Sequence, residues 1–434
     1  MKIRERILSI VLCLVLLPLH TVALNGDGKK ETVSSGMKEQ TEAIDADTSG
    51  TGQPFEVDAA GAILMEVESG RVLAEWNADA RLPPASVTKI MTLLLTMEAL
   101  DGGKFSLTDT VQISKYAASM GGSQVFLKEG ESITVEELIK SVVIASANDA
   151  AVALAELVSG DCDSFVARMN ERARELGMEN SHFENPTGLD DDVTDHVYSP
   201  RDVAISSREL IRSHPLILTY SGIWMDSIRD GAFGLTNTNR LVRFYRGATG
   251  LKTGSTAKAR FCISATAMRN GMHLIAVVMG SPTRDVRNET AKKILDWGFA
   301  HYEIYTAEAG QTAPIPLLGG REKQIVGADD GISILLDKGK GSAVEPIVEL
   351  PEELAAPIEA GQVIGRIRYV LDGKELGQSE IRCEAGAERL GYDDLLRGLL
   401  RFFFLCGETE AKTEGVEDEI PPELTEKEEI TTAP

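Results

Sequence analysis

Pro83-Pro84-Ala85-Ser86-Val87-Thr88-Lys89, followed by Ile90-Met91-Thr92-Leu93-Leu94-Leu95-Thr96-Met97-Glu98-Ala99-Leu100, is the stretch around which the chain is organised. The two prolines disfavour helix before Ser86, because proline fixes φ, lacks an N–H and restricts the preceding residue. The residues after Lys89 are strong helix formers with apolar side chains at helical spacing, which predicts a largely buried helix. Ser86 and Lys89 are three residues apart near its start, so they are neighbours on one face.

This pair has a chemical interpretation and a structural one. A serine hydroxyl becomes a good nucleophile when a neighbouring base removes its proton, and a lysine amine one turn away can act as that base. Alternatively, Ser86 is a helix cap and Lys89 an ordinary surface residue. Ser-x-x-Lys is common by chance, so the chemical interpretation requires partners elsewhere in the chain.

Two further motifs supply such partners. Ser146-Ala147-Asn148 follows a predicted helix over 135–145 and offers a second hydroxyl and an amide. Lys252-Thr253-Gly254 begins a strand-like run. Each motif is a weak signal alone. The three in this order form the set that is typical of penicillin-binding proteins and class A β-lactamases.

Length and composition set broad limits. A chain of 434 residues predicts two domains with appendages. The net charge of −23 argues against non-specific binding to nucleic acid, which requires basic patches. We therefore expect no nucleic-acid partner.

Cysteine and histidine usage gives no sign of a metal or cofactor site. Cys13 lies in a segment that we expect to be removed, and the other four cysteines are Cys162, Cys262, Cys383 and Cys406. They show no Cys-x-x-Cys or His/Cys metal spacing, so free thiols are favoured over a disulfide framework. The six histidines are scattered without His-x-x-x-His spacing, which argues against a zinc peptidase.

The N-terminus resembles an export signal. Lys2, Arg4 and Arg6 precede the apolar run 7–19, and small residues end at Ala23. This pattern predicts a secretory signal peptide over 1–23, with an uncleaved membrane anchor as the alternative. The chemistry is therefore expected outside the cytoplasm. Residues 24–53 are rich in Gly, Ser, Thr and acidic residues, which predicts a disordered linker.

Residues 54–303 have the pattern of an α+β domain, an antiparallel sheet with a helical block. One hairpin is predicted from 62–68 and 71–76 around Ser69-Gly70, and another from 262–267 and 274–279 around Asn270-Gly271. The Lys252 run adds a further strand. A closing helix is predicted over 290–302.

The residue pattern of the chain changes after residue 303. Short Val, Ile and Leu runs separated by glycine-rich turns predict a small β-rich domain over 304–387. Within 388–406, Tyr392 and six further large apolar residues (Leu395, Leu396, Leu399, Leu400, Phe402 and Phe403) share one helical face. That helix is predicted to lie on a membrane surface; the alternative is a helix docked on its own domain. The acidic segment 407–434 is predicted to be disordered.

Taken together, the motifs, the export signal and the C-terminal helix resemble the low-molecular-mass penicillin-binding proteins, the serine-type D-alanyl-D-alanine carboxypeptidases of peptidase family S11. Asn185-Pro186-Thr187-Gly188-Leu189 supports the resemblance outside the motifs. The chain departs from the family pattern at Ala147, where glycine is common, and at Thr249, where aspartate is common. The acidic tail beyond the helix is a third departure.

The resemblance implies a mechanism for the three motifs. Ser86 attacks the carbonyl between two terminal D-alanines of a peptidoglycan stem peptide, and water hydrolyses the acyl-enzyme. Lys89 is the base, and its burial together with the charge of Lys252 is expected to lower its pKa. Ser146 relays a proton to the leaving amine, and Asn148 holds the amide of the peptide.

The resemblance also assigns the remaining substrate contacts. The backbone N–H groups of Ser86 and Ser255 form the oxyanion hole, and Gly254 lets the strand approach the substrate. The terminal carboxylate is bound by Lys252, Thr253, Thr256 and Arg287. For Arg287 the alternatives are a surface salt bridge, or exchange of its role with the nearby Arg284.

Two rival functions share these motifs. A class A β-lactamase needs a glutamate that activates the deacylating water, and no Glu-x-x-Leu-Asn occurs between Asn148 and Lys252. A catalytically silent wall-binding scaffold would not need every reactive position intact. The favoured hypothesis is a carboxypeptidase of cell-wall biosynthesis. Its partners would be stem peptides ending in D-Ala-D-Ala, β-lactam inhibitors, and the outer face of the cell membrane.

Overall fold

The structure, a computed structural model, describes residues 54–191 and 193–405, the side chain of Leu405 excepted. The predicted signal peptide, the predicted linker and the predicted acidic tail lie outside the described residues, as do Cys13 and Cys406. Of the described cysteines, Cys162, Cys262 and Cys383 are free thiols.

The strands and helices follow in chain order. The strands are β1 (Gly61–Glu66), β2 (Val72–Trp76), β3 (Thr110–Gln112), β4 (Ser132–Thr134), β5 (Met225–Ile228), β6 (Phe233–Thr236), β7 (Ala248–Thr256), β8 (Arg260–Arg269), β9 (Met272–Ser281), β10 (Tyr302–Ala307), β11 (Gly310–Gln311), β12 (Ile315–Leu318), β13 (Gln324–Ile325), β14 (Gly327–Asp329), β15 (Ile332–Asp337), β16 (Glu345–Glu349), β17 (Leu354–Ala355), β18 (Val363–Leu371) and β19 (Lys374–Cys383). The helices are α1 (Lys89–Asp101), α2 (Lys115–Ala118), α3 (Val135–Ile144), α4 (Asn148–Ser159), α5 (Cys162–Glu175), α6 (Pro200–Ser213), α7 (Ile217–Ser221), α8 (Leu241–Phe244), α9 (Arg284–His301) and α10 (Tyr392–Leu405).

A five-stranded antiparallel sheet in the order β2-β1-β9-β8-β7 is the frame of the first domain. Both predicted hairpins are present, and Asn270 and Gly271 both have positive φ, as a two-residue hairpin turn requires. β7 pairs only with β8 in this sheet, so it is an edge strand whose other side faces the helical block. The predicted α+β fold is confirmed.

Helix α1 lies at the centre of the helical block. All of its side chains from Lys89 to Met97 are buried, as the apolar spacing of the sequence predicts. It packs into a core shared by the sheet and helices α3 to α6. The opposite face of the sheet is covered by α9 through Ala291, Ile294 and Leu295.

Helix α9 begins at Arg284, six residues before the predicted start at Thr290. The physical reason is the cap: the hydroxyl of Thr283 accepts a hydrogen bond from Val286 N, at 3.2 Å. The first turn of α9, including Arg287, is therefore helical and lies next to the end of β9.

The second domain is β-rich, as predicted, and is built on the sheet β11-β14-β19-β18-β16 with two smaller sheets. After it, α10 makes an ion pair from Asp394 to Arg321, at 3.0 Å. Its large apolar side chains are 41–81% exposed, so the alternative of a helix docked through its apolar face is wrong. No helix among the described residues has the length and apolar character to cross a bilayer.

Candidate active site

The turn that carries Ser86 is held from behind by a chain of hydrogen bonds. Residues 85–88 form a 3-10 turn that leads into α1, and Ala85 has a φ of +49° in the left-handed region. Thr88 Oγ1 donates to the Ala85 carbonyl, at 2.9 Å, and lies 2.8 Å from His196 Nε2. His196 Nδ1 accepts from Glu184 N, so Nε2 carries the proton and donates to Thr88.

His196 acts here as a neutral group. Burial lowers its pKa to about 4, so the imidazole keeps one proton near neutral pH. No motif in the sequence marks His196, because a lone histidine in a loop belongs to no recognisable pattern. Only folding brings it behind Ser86.

The amine of Lys89 contacts Ser86 directly. Lys89 is fully buried, and its Nζ lies 2.9 Å from Ser86 Oγ, 2.6 Å from Asn148 Oδ1 and 2.8 Å from Thr187 O. The structure therefore brings the first two motifs together with the Asn185–Leu189 segment. The structural alternative of a surface lysine is wrong.

The environment of Lys89 disfavours its charged form. Its pKa lies well below the ordinary lysine value because of burial, and secondly because of the positive charge of Lys252; the carboxylate of Asp149 acts in the opposite direction. The two causes of lowering are those predicted from the sequence.

Ser146 and Lys252 form a second contact pair. Lys252 is buried, and its Nζ donates to Ser146 Oγ, at 2.8 Å, and to Thr253 O, at 2.9 Å. Burial, followed by the charge of Arg287, lowers the pKa of Lys252 to about 7. Ser146 has a φ of +62°, a rarely occupied conformation for a residue with a side chain.

Asn148 has hydrogen-bond partners within the protein at both ends of its side chain. Its Oδ1 accepts from Lys89, and its Nδ2 donates to Gly121 O, at 2.7 Å. Both ends of the amide are thus occupied within the protein, and the residue is buried. In this geometry Asn148 orients the Lys89 amine, and its contact with the amide of the peptide stays a prediction.

Asp149 is a further residue that the sequence analysis missed. It is fully buried, and its carboxylate accepts hydrogen bonds from Val125 N and Leu127 N. The carboxylate thereby fixes the segment that follows Ser123, whose carbonyl accepts from Asn148 N, at 2.7 Å.

Strand β7 approaches the nucleophile turn very closely at Gly254. A Cβ on Gly254 would lie 2.8 Å from Ser86 N and 2.9 Å from both Pro84 O and Val87 N. Glycine at this position therefore allows β7 to pack directly against the Ser86 turn. The close approach of Gly254 to substrate is a separate prediction. Thr253 Oγ1 donates to Thr238 Oγ1, at 2.8 Å, and lines the cleft.

Two threonines of β7 make hydrogen bonds within the protein. The Thr256 hydroxyl accepts from Ala259 N, and Thr256 is not among the cleft-lining residues, so its contact with the substrate carboxylate stays a prediction. Thr249, where the family commonly has aspartate, lies 2.8 Å from Thr266 Oγ1 and 2.9 Å from His273 Nε2 through its hydroxyl.

Arg287 is buried at the wall of the cleft. Its guanidinium donates to Asn288 Oδ1 and to Cys262 O, and no carboxylate among residues 54–191 and 193–405 lies within ion-pair distance. The surface salt-bridge alternative is therefore wrong. Burial, with further contributions from neighbouring charges, lowers the pKa of Arg287 to about 10, so it remains charged at neutral pH.

These groups surround one cleft of ≈ 590 Å³. The lining residues are Ser86, Ser123, Ser146, Trp224, Thr236, Asn237, Thr238, Arg240, Phe244, Thr253, Gly254, Ser255, Arg284 and Arg287. Hydroxyls and cations dominate the lining, and no aspartate or glutamate belongs to it. In the described part of the chain, no group of three or more His, Cys, Asp or Glu residues is arranged to hold a metal.

Comparison with known proteins decides the family. The D-alanyl-D-alanine carboxypeptidase profile of peptidase family S11 matches residues 47–283. The chain belongs to this family. The profile of the C-terminal domain of penicillin-binding protein 5 matches residues 304–389. The family is the one that the motifs predicted, and the second profile covers the segment that was predicted to be a β-rich domain.

Individual relatives agree with the family profile. The chain is 42% identical over 347 residues to D-alanyl-D-alanine carboxypeptidase DacF of Bacillus subtilis, covering 78% of this chain and 88% of the relative. Penicillin binding protein 5 of Haemophilus influenzae matches with a TM-score of 0.62 and 34% identity, over 78% of this chain and all of that one. A penicillin-binding protein of Listeria monocytogenes, solved with ampicillin bound, matches over 57% of this chain and all of its own, with a TM-score of 0.53 and 31% identity.

Proposed function

We propose that this protein hydrolyses the bond between the two terminal D-alanines of peptidoglycan stem peptides, with Ser86 as nucleophile and Lys89 as its base. The observation that carries the proposal is the 2.9 Å contact between Lys89 Nζ and Ser86 Oγ in a buried setting. Family membership supports the same activity.

The partners of Lys89 support its role as base. Asn148 Oδ1 and the Thr187 carbonyl can only accept hydrogen bonds. In the neutral amine the two N–H groups go to these acceptors, and the lone pair remains for the Ser86 hydroxyl. The lowered pKa of Lys89 makes this neutral form accessible.

The reaction then proceeds in two steps. Ser86 Oγ bonds to the carbonyl carbon as its proton passes to Lys89, and the C–N bond breaks as that proton is returned to the leaving amine through Ser146, which leaves Lys89 neutral. Water then hydrolyses the ester and restores Ser86. The N–H groups of Ser86 and Ser255 are proposed to stabilise the oxyanion in both steps.

Substrate carboxylate recognition is assigned to Lys252, Thr253 and Arg287. Support comes from the position of Thr253 and Arg287 on the cleft lining and from the missing carboxylate partner of Arg287 within the described residues. A buried cation without an anionic neighbour is costly, and a bound carboxylate offsets that cost.

A β-lactam should acylate the same serine, and the resulting acyl-enzyme should be hydrolysed slowly. The relative solved with ampicillin supports β-lactam binding. Rapid lactam hydrolysis by a class A mechanism needs a carboxylate that activates water, and none lines the cleft. A silent scaffold is disfavoured because all of the predicted reactive side chains converge on one cleft or its wall.

We also propose that the enzyme acts outside the cytoplasm and is attached to the outer face of the membrane by α10. The N-terminal sequence pattern supports export. The exposed apolar side chains of α10 support interfacial binding, whereas its 14 residues reach only about 21 Å, short of the roughly 30 Å of a bilayer core. On this assignment residues 54–303 are the catalytic domain and 304–387 the β-rich domain.

The activity is tested by measuring D-alanine release from Nα,Nε-diacetyl-L-Lys-D-Ala-D-Ala by the purified protein. We expect release by the unchanged protein and none above background by Ser86→Ala. Ser123→Ala, which also removes a cleft hydroxyl, is the matched control and should keep activity. Equal release by the unchanged protein and Ser86→Ala would overturn the proposal, and so would no release by either.

A further inference from the structure

The wall of the cleft carries more positive charge than one carboxylate requires. Arg240, Arg284 and Arg287 all line it, together with no acidic residue. This concentration of cations is unexpected in a chain whose net charge is −23. It calls for an anionic ligand with more than one negative group.

The three arginines line the same cleft, so their charges act on one another. Burial is the largest cause of the lowered pKa of Arg287; the charges of Arg284 and Arg240 lower it further, while Cys262 and Asp285 act in the opposite direction. Such like-charge proximity is unfavourable unless an anion is bound between the groups.

Arg240 and Arg284 have no partners of their own among the described residues. Neither side chain donates a hydrogen bond within the described residues, and neither forms an ion pair there. Arg243 differs, because its guanidinium lies over the rings of Trp224 and Phe244, 5.4 and 5.3 Å from their centroids. Arg240 and Arg284 are exposed at the cleft, whereas Arg287 is buried.

Burial separates the roles of the three arginines. Arg287 is the one assigned above to the terminal carboxylate. In the bound peptide, the leaving residue carries that carboxylate and its side chain on the same Cα. Protein groups next to the carboxylate site therefore lie next to the side chain of the leaving residue. Arg240 and Arg284 are therefore placed to meet the side chain of the leaving residue. Trp224 and Phe244, whose ring centroids are 6.2 Å apart, give the same wall an apolar surface for its methylene groups.

On the basis of the function proposed above, we propose that Arg240 and Arg284 bind a second carboxylate on the side chain of the leaving residue. The substrate class then extends from terminal D-alanine to D-alanyl bonds whose leaving residue is an acidic D-amino acid.

The test compares two peptides that differ by one charge. Diacetyl-L-Lys-D-Ala-D-Glu and diacetyl-L-Lys-D-Ala-D-Gln have leaving residues of the same shape, and kcat/KM is measured for both. We expect about a fivefold preference for D-Glu, the size that two exposed ion pairs give. The preference should fall towards one as ionic strength is raised, because exposed charges are screened.

Variants assign the preference to the two arginines. In the double variant Arg240→Gln, Arg284→Gln the D-Glu to D-Gln ratio should fall to about one. Arg246→Gln removes an exposed charge that is not on the cleft lining and should keep the ratio of the unchanged protein. The D-Glu to D-Gln ratio of kcat/KM is measured within one preparation of each variant. A smaller fraction of folded protein lowers both values equally and leaves the ratio unchanged.

The outcomes separate this inference from the proposed function. Hydrolysis of the D-Ala-D-Ala peptide without any preference for D-Glu would overturn the inference and leave the carboxypeptidase activity standing. So would a preference that survives in the double variant. No hydrolysis of any of the three peptides would overturn both.

Discussion

At the scale of single residues, the reactive centre depends on a buried Lys89 amine that contacts Ser86 and lies near the positive charge of Lys252. Ser86, Lys89, Ser146 and Lys252 occupy one cleft or its wall, and the two predicted causes of the lowered pKa of Lys89 are both present. His196 was missed because it lies far from Ser86 in the chain and acts only through tertiary contact. Motif spacing carries no information about which buried acceptor a lysine will meet.

Lys89→Arg should be nearly as damaging as Lys89→Ala. Arginine keeps the charge but is not deprotonated in a protein, so it cannot accept the Ser86 proton. We expect both variants to acylate with a fluorescent penicillin at least about 100-fold more slowly. The matched control, Lys128→Arg at an exposed site, should react normally. A substantial acylation rate in folded Lys89→Arg would show that the lysine acts only through its charge.

The pH dependence of acylation should report the coupling between the two lysines. Acylation is lost as pH falls through the pKa of Lys89, because the protonated amine is no base. The positive charge of Lys252 lowers that pKa. Removing it in Lys252→Gln should raise the pKa of Lys89 and move the acid limb of the rate profile to higher pH. Lys258→Gln, at an exposed position, should leave the limb in place. A limb that stays fixed or moves to lower pH in Lys252→Gln would contradict the coupling.

At the scale of elements, hairpins and long buried helices were predictable because their periodicity is local. The hairpin around Asn270-Gly271 and the buried face of α1 follow directly from the pattern. The early start of α9 was not predicted, because its first turn is polar and depends on the Thr283 cap. That turn contains Arg287. Because the helix was predicted to begin only at Thr290, Arg287 was not predicted to be helical.

The close approach of β7 to the Ser86 turn makes Gly254 a sensitive position. In Gly254→Ala the new methyl group would meet three backbone atoms at 2.8–2.9 Å, and backbone cannot move aside as a flexible side chain can. We expect loss of penicillin acylation and a free energy of unfolding lower by about 1–3 kcal/mol. Both are measured on the purified variant, the second by denaturant unfolding.

Gly234→Ala provides the control for this prediction. Gly234 lies in β6 with no heavy atom within 4 Å of the added methyl group. It should change neither acylation nor the free energy of unfolding by a comparable amount. If Gly254→Ala behaves in the same way as Gly234→Ala, the close packing of β7 on the turn is not required for activity.

At the scale of the whole molecule, an α+β domain followed by a β-rich domain was predictable, because the sequence changes after residue 303 to short apolar runs separated by glycine-rich turns. The arrangement of the β-rich domain into three sheets was not, because its short strands are separated by similar glycine turns that leave their pairing open. Helix α10 could be placed from its pattern, but only the structure distinguishes an exposed apolar face from a docked one.

Truncation before Leu390 should release the protein from membranes and leave its activity on a soluble peptide unchanged. The lost face contains seven large apolar residues, each worth roughly 1.5–3 kcal/mol when fully buried. Cosedimentation with anionic lipid vesicles measures the binding, using protein that starts at residue 24. High salt should weaken attachment only modestly, because the apolar contribution exceeds that of Arg397 and Arg401. Equal vesicle binding by full-length and truncated protein would refute the role of α10.

The central claim is that Ser86 is the nucleophile activated by Lys89, and the position of a covalent penicillin adduct tests it most directly. The protein is reacted with benzylpenicillin, digested and analysed by mass spectrometry. We expect one acyl group per chain, on the peptide that contains Ser86, and none in a Ser86→Ala variant with an unchanged melting temperature. An adduct on the Ser146 peptide instead, or undiminished labelling of Ser86→Ala, would contradict it.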